Sequence, residues 1–218
     1  MLDNMRPKVV LQLLVKHYTE NRNSYLATML GSFSLPMIMS LLSKSSEAGI
    51  SLLMSVAIFN LFYVMYLSTR GLRQRRTFVM EAALPVSVTE RYIFIMLNTT
   101  LLLAVWLLVI YAAVVLIVVN LYPPVFPYVG DLIFKNYHLY IGLLCTHGVA
   151  LLINLVARRR VIWPYLVAAV LTMIAQYLIS EYSPVGAVES VKMWVNICVA
   201  VVAWVVGYFM LRYRQLKM

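Results

Sequence analysis

Residues 92–119 read YIFIMLNTTLLLAVWLLVIYAAVVLIVV and carry no charged side chain. A helix needs about 20 mostly apolar residues to cross the roughly 30 Å hydrocarbon core of a bilayer, because each residue rises about 1.5 Å. Residues 92–119 exceed that length, so the helix is expected to tilt or to protrude into water. This stretch predicts a membrane-spanning helix and not the core of a soluble domain.

The rest of the chain has the same apolar character. The sequence is 63% hydrophobic and 12% charged, whereas soluble domains contain about 45–50% apolar residues. Five further stretches are long enough to span a bilayer, so we predict an all-α, polytopic bundle that forms a single transmembrane domain over residues 1–218. Its six spanning helices are predicted at about residues 24–42, 50–69, 92–119, 137–157, 161–180 and 191–211.

Positive charges predict the orientation of these spans, because short loops rich in Lys and Arg stay in the cytoplasm. Fifteen Lys and Arg residues fall on the side of the two termini, and three fall on the other side. We therefore expect a multi-pass protein of a bacterial cytoplasmic membrane, with both termini inside. The net charge of +10 does not indicate nucleic acid as a partner, since the basic residues flank apolar runs and form no stripe with aromatic residues.

Residues 8–22 precede the first span and predict a helix that lies along the inner membrane surface. Apolar side chains recur there at helical spacing, opposite a set of polar side chains. The two predicted faces are Val10, Leu11, Leu14, Val15 and Tyr18 against Gln12, Lys16, His17 and Glu20. A cytosolic helix that packs on a partner protein is the alternative.

The connection at residues 70–91 is the one loop long enough to hold structure of its own. Residues 77–83 contain good helix formers, and Pro85 ends the short helix that they predict. Ser87 and Glu90 have the spacing of a capping box, which would begin the third span.

Motifs for chemistry are missing from the sequence. It contains no H-E-x-x-H, no G-x-S-x-G and no phosphate-binding loop, so we predict no catalytic residue, no metal site and no cofactor held by this chain. Every Asp and Glu is expected in a loop or terminus, which disfavours an ion-coupled carrier. Small residues at Ala27 with Gly31, and at Ala203 with Gly207, favour close helix contacts. We interpret the polar residues within spans as helix-helix contacts and assign no substrate-binding residue among them: Asn60, Asn98, His147, Asn154, Gln176 and Asn196. For His147, the one imidazole in a predicted span, a role in ligand or proton handling is the alternative.

With these features the chain resembles the membrane subunit of a type-2 ABC exporter, a permease that works with a separate ATPase. The resemblance covers the whole chain, from the basic amphipathic helix and six spans to the basic connection, which reads RRTFVMEAALPVS at residues 75–87. In the family this connection holds the coupling helix that docks on the ATPase. The resemblance implies ATPase-coupling roles for Arg73, Arg75, Arg76, Phe78, Glu81, Leu84 and Pro85.

The resemblance also implies partners and a mechanism. Two copies of the permease, or this chain with a paralogous permease, would join ABC ATPase subunits that bind ATP and Mg. The permease pair would then export a cargo by alternating access, and the apolar spans suit an amphipathic or lipid-like cargo. Residues 181–190 leave little room for the re-entrant helices of many members, which is a departure from the family. A membrane anchor or assembly subunit for a soluble complex is the alternative, followed by a channel or a secondary carrier.

Overall fold

The computed structural model of the chain describes residues 6–43, 46–73, 86–121, 137–157, 162–184 and 187–216. Every regular element within these ranges is helical. In chain order they are α1 Pro7–Glu20, α2 Arg22–Ser43, α3 Ser46–Arg73, α4 Val88–Leu97, a π-helical segment Asn98–Leu102, α5 Leu103–Leu121, α6 Tyr137–Val156, α7 Ile162–Tyr182 and α8 Val188–Leu216. The short helix predicted at residues 77–83 lies outside the described residues.

Four helical regions of the described chain are long and apolar enough to cross a membrane: Arg22–Leu42, Val88–Trp106, Trp163–Tyr182 and Val188–Tyr213. They overlap the first, third, fifth and sixth predicted spans. The second predicted span falls within α3 and the fourth coincides with α6, of which Tyr140–Val156 is apolar but shorter. The all-helical class is therefore confirmed for the described residues, with four candidate membrane-spanning helices, and the count of six stays a prediction.

Helix α4 begins with the capping box that the sequence predicts. The backbone N–H of Ser87 donates to the carboxylate of Glu90 at 2.9 Å, and the backbone N–H of Glu90 donates to the hydroxyl of Ser87 at 3.1 Å. These two bonds satisfy N–H groups that the first helical turn would otherwise leave unpaired. The capping box is confirmed.

The expectation that every acidic residue lies in a loop or terminus is wrong for four residues of the described helices, which lie in the terminal turns of α3, α4, α7 and α8: Glu47, Glu90, Glu181 and Glu189. Glu90 is fully buried in the first turn of α4, and Glu181 lies in the last turn of α7. The helices extend beyond their apolar runs because terminal turns accept polar side chains that the middle of a span would exclude.

Chain contacts divide the protein into two compact units. Unit 1 comprises Met1–Ser68 and Ile93–Tyr137, and unit 2 comprises Thr69–Tyr92 and His138–Met218. Within unit 1, α2 packs against α1 and against α5. Within unit 2, α7 packs against α8. The single transmembrane domain over residues 1–218 stays a prediction.

Unit 2 also contains a close approach between the backbones of α6 and α8. A Cβ atom added to Gly148 would lie 3.1 Å from the Cα and the carbonyl oxygen of Ala200 and 3.2 Å from the Cβ of Ala203. A Cβ atom added to Gly207 would lie 3.5 Å from the side chain of Leu151. The predicted pair Ala203 with Gly207 is thus a helix contact, whereas nothing lies within 4 Å of a Cβ built on Gly31.

Candidate functional site

The residues that the family resemblance nominates for ATPase coupling lie almost entirely outside the described residues. Arg73 is the last residue of α3. The other six positions, Arg75, Arg76, Phe78, Glu81, Leu84 and Pro85, belong to the part of the connection that is not described. Their roles stay predictions. The polar geometry that the structure does describe lies in the two units themselves.

Among the described residues of unit 1, the polar side chain that joins several helices is that of Asn98, which begins the π-helical segment between α4 and α5. Asn98 is fully buried, and Thr99 beside it is 1% exposed. A π-helical turn inserts an extra residue into a helix and redirects the side chains that follow, and such turns recur at functional sites. Here the π-helical turn lies within the apolar run of residues 92–119 and begins at Asn98, Thr99 and Thr100.

The Asn98 carboxamide uses both of its polar ends. Its oxygen accepts a hydrogen bond from the Tyr18 hydroxyl at 2.8 Å. Its nitrogen donates to the hydroxyl of Ser68 at 2.7 Å and to the hydroxyl of Tyr25 at 3.2 Å. These partners lie on α1, α2 and α3, so a single side chain links the π-helical segment to three helices.

His17 extends this network within unit 1. Its Nε2 atom lies 2.8 Å from the Tyr25 hydroxyl, and its Nδ1 atom is 3.4 Å from the side-chain nitrogen of Asn21. Because the side-chain nitrogen of Asn21 can only donate, Nδ1 is the accepting nitrogen and Nε2 carries the proton toward Tyr25. The amide of Asn21 also donates to the backbone carbonyl of His17 at 2.9 Å. We call His17, Tyr18, Tyr25, Ser68 and Asn98 the Asn98 cluster.

Aromatic rings pack within and around the Asn98 cluster. The ring centroid of His17 is 5.4 Å from that of Phe94, and the two rings meet edge to face. Tyr18 and Tyr25 are 4.6 Å apart, and Trp106 meets Tyr25 edge to face at 6.3 Å. Ring pairs in this distance range attract each other in addition to burying area. The cluster is therefore held by packing as well as by hydrogen bonds.

Burial sets the protonation state of the α1 residues in this cluster. Removal from water disfavours a charged imidazole, and it lowers the pKa of His17 to about 4. Burial also raises the pKa of Tyr18 above its ordinary value. Both side chains are neutral at physiological pH, which suits hydrogen bonding to the neutral amide of Asn98.

Helix α1 has three faces, and the sequence assigns His17 to the wrong one. His17, which the sequence places on the polar face, is buried together with Val10 against the rest of unit 1. Its hydrogen bond to Tyr25 makes burial possible, and periodicity cannot reveal that partner. The apolar side chains of Leu11 and Val15 are instead 61% and 60% exposed. The third face is polar and includes the ion pair of Lys16 with Glu20, whose charged atoms are 3.8 Å apart.

Unit 2 has polar contacts of a simpler kind. The indole N–H of Trp204 on α8 donates to Nδ1 of His147 on α6 at 3.0 Å. The Asn154 amide donates to the hydroxyl of Tyr165 on α7 and to the backbone carbonyl of Ala150. These are the helix-helix contacts that we predict for His147 and Asn154, and both predictions are confirmed.

Several other predictions about polar residues in spans can be compared with the structure. Asn98 bonds to three other helices, and Asn60 on α3 donates to Ser32 on α2 at 2.8 Å, so both are helix-helix contacts as predicted. Gln176 and Asn196 make no such side-chain bond with the described residues. The sequence does not predict the π-helical turn or the convergence of Tyr18 and Tyr25. The only signal was an amide and two hydroxyls inside an apolar run.

The Asn98 cluster has the chemistry of a structural contact that joins helices. Its amide, hydroxyl and imidazole groups satisfy one another, and no group of three His, Cys, Asp or Glu side chains that could hold a metal occurs in the described ranges. Comparison with known proteins adds no assignment, since no family model, no curated protein and no solved structure matches this chain.

Proposed function

We propose that this chain is the permease subunit of an ATP-driven exporter of the type-2 ABC class. The observation that carries the proposal is the helix that follows the basic connection. It begins at a reciprocal Ser87–Glu90 capping box and continues through the π-helical segment into α5. A well-capped helix directly after a docking segment is suited to receive a push from a soluble partner.

The proposal includes six spans, with α3 and α6 as the second and fourth crossings. Both termini lie in the cytoplasm, because most Lys and Arg residues fall on that side. Helix α1 lies at the inner surface of a bacterial cytoplasmic membrane. Its exposed Leu11 and Val15 enter the lipid, its polar face meets water, and its buried face joins the Asn98 cluster.

Docking of the ATPase is assigned to the connection before α4. A short helix with Arg75 and Arg76 near its start and Glu81 within it can form ion pairs on a soluble partner, while Phe78 and Leu84 supply an apolar side. Arg73 at the end of α3 and Pro85 before α4 border this segment. ATP and Mg are held by the partner, and this chain contributes no group to hydrolysis.

Movement of the connection reaches the transmembrane helices at both of its ends. In the proposed assembly two permeases, either identical or paralogous, stand over two ATPases, and ATP binding draws the ATPases together. Alternating access then exposes a cargo site first to one side and then to the other. An amphipathic or lipid-like cargo suits spans whose middle turns carry few charges.

Charge reversal in the connection tests this proposal. The variant Arg75→Glu/Arg76→Glu should lose a P-loop ATPase that co-purifies with the unaltered chain, because repulsion replaces the docking ion pairs. The matched control is Arg212→Glu/Arg214→Glu near the C-terminus, which changes net charge equally and should keep the ATPase. Retention of the ATPase by the first variant would overturn the coupling assignment. A partner without a nucleotide site would favour a membrane anchor instead.

A further inference from the structure

A second polar contact of unit 1 lies between α2 and α3 and is incomplete. Asn60 is fully buried, and its side-chain nitrogen donates to the Ser32 hydroxyl at 2.8 Å. That hydroxyl donates in turn to the backbone carbonyl of Thr28 at 2.7 Å. The side-chain oxygen of Asn60 is buried and has no hydrogen-bond partner among the described residues. A buried acceptor without a donor is destabilising, so such atoms are rare and call for a specific explanation.

The backbone supplies a second acceptor at the same contact. Pro36 lies inside α2, four residues after Ser32. Because proline has no N–H, the carbonyl of Ser32 loses its helical hydrogen bond. Ser32 is 3% exposed and Pro36 is buried, so this carbonyl is also removed from bulk water. The Ser32–Asn60 contact thus combines two unsatisfied oxygens, one from the backbone and one from a side chain.

The position of this contact is informative. Ser32 lies at the middle of the candidate span Arg22–Leu42, and Asn60 lies at the middle of the second predicted span, residues 50–69. Unsatisfied backbone and amide groups at mid-membrane are tolerated where they line a cavity or meet a ligand. Two oxygens are too few for a sodium or calcium ion, which takes about six or more oxygen ligands. They match a single group that donates hydrogen bonds.

We propose that the Asn60 side-chain oxygen and the Ser32 carbonyl form an acceptor pair that binds a hydroxyl or ammonium group of the transported molecule. This inference rests on the proposed transport function and specifies the chemistry of its cargo. In this structure the acceptor pair is closed to solvent, since the side-chain oxygen of Asn60 is inaccessible to water. A cargo with an apolar tail and one donor group would suit the apolar surroundings and this acceptor pair together.

The test measures ligand binding and needs no ATPase, so its failure is distinguishable from failure of the exporter proposal. The chain is reconstituted in nanodiscs, and its melting temperature is measured with 1-octanol, octylammonium or octyl methyl ether. The ether has the same tail but cannot donate. We expect the two donors to raise the melting temperature by several degrees more than the ether does. An equal effect of all three probes would overturn the proposal.

Two variants separate the acceptor oxygen from the helix-helix hydrogen bond. Asn60→Leu removes both the oxygen and the bond to Ser32, and it should abolish the difference between donor and ether probes. Ser32→Ala removes the same bond but leaves the Asn60 oxygen and the backbone carbonyl, so that difference should persist. Loss of the donor effect in both variants would assign it to helix packing and contradict the proposal. Its persistence in Asn60→Leu would equally exclude Asn60 as the ligand.

Asn60→Asp is a second variant at this position, and it avoids placing a leucine side chain between α2 and α3. Burial at the middle of a span favours the neutral carboxyl, which keeps an acceptor oxygen and can donate to Ser32 as the amide does. The difference between the donor probes and the ether should therefore persist in this variant, and its loss would overturn the assignment of Asn60 as the acceptor.

Discussion

Asn98 and Asn60 are both fully buried asparagines of unit 1, yet their surroundings differ in one respect. Asn98 accepts one hydrogen bond and donates two, to partners on three helices. Asn60 donates one bond to Ser32, and its oxygen has no partner among the described residues. A fully satisfied amide stabilises a single arrangement of helices. In the proposal above, the spare acceptor of Asn60 is where a donor group of the cargo binds.

The largest expected effect on stability comes from replacing Asn98, whose side-chain amide is fully hydrogen-bonded. Asn98→Leu removes three hydrogen bonds and leaves the hydroxyls of Tyr18, Tyr25 and Ser68 without this partner. We expect the free energy of unfolding to fall by about 3 kcal/mol, at roughly 1 kcal/mol for each bond within a membrane. Titration of mixed micelles with a denaturing detergent, followed by tryptophan fluorescence, measures this loss.

Thr100→Val provides the control for that experiment. Thr100 lies in the same π-helical segment, but its hydroxyl bonds only to the carbonyl of Met96 in its own helix. We expect a loss below about 0.5 kcal/mol, as for substitutions away from buried networks. Equal losses for the two variants would mean that Asn98 does not join the helices.

Acid should weaken the Asn98 cluster through His17. Its pKa is about 4 in the folded chain, below the ordinary 6.5, so the folded chain binds fewer protons than the unfolded chain between these values. The stabilisation is fully present above pH 6.5 and is lost as the pH falls toward 4, by an amount on the order of 2 to 3 kcal/mol.

His17→Gln isolates this effect, because glutamine can still donate to Tyr25 but does not titrate. The unfolding free energy of the variant should depend less steeply on pH between 6.5 and 4 than that of the unaltered chain. Parallel pH profiles would show that His17 is not buried in its neutral form.

The close approach of α6 and α8 at Gly148 depends on small residues and not on hydrogen bonds between side chains, so it provides a further comparison. Gly148→Ala places a methyl group 3.1 Å from the backbone of Ala200, which cannot move aside as a flexible side chain would. Gly142→Ala on the same helix meets nothing within 4 Å. Since alanine favours helix by up to about 1 kcal/mol over glycine, we expect Gly142→Ala to be neutral or stabilising. Gly148→Ala should be less stable than Gly142→Ala by about 1 to 2 kcal/mol in the same detergent titration. The reverse order would contradict the close approach of α6 and α8.

Apart from the two control variants, Thr100→Val and Gly142→Ala, the smallest expected effect on stability belongs to Asn60→Leu. The variant loses one hydrogen bond, but it also removes an unsatisfied buried oxygen, and the two changes oppose each other. We expect the unfolding free energy to change by less than about 1 kcal/mol, well below the loss for Asn98→Leu. A loss as large as that of Asn98→Leu would show that the Asn60 oxygen has a structural partner, and the distinction between the two amides would fail.

The sequence predicts the helical class, the capping box and the helix-helix roles of Asn60, Asn98 and His147, because each depends on spacing or on local chemistry. It does not predict the π-helical turn, since residues 92–119 form one long apolar run without a charged residue or proline to mark the change. It also misplaces His17, because imidazole counts as polar until a partner such as Tyr25 is known. The unsatisfied oxygen of Asn60 depends on where α2 and α3 meet, which a linear pattern does not contain.

The most direct test of the proposed function is native mass spectrometry of the chain expressed together with the products of its neighbouring genes and released gently from the membrane. We predict a complex with two copies of the permease, or one copy with a paralogue, and two copies of a P-loop ATPase. Intact permease without a nucleotide-binding partner, or with a partner that has no nucleotide site, would contradict the exporter proposal.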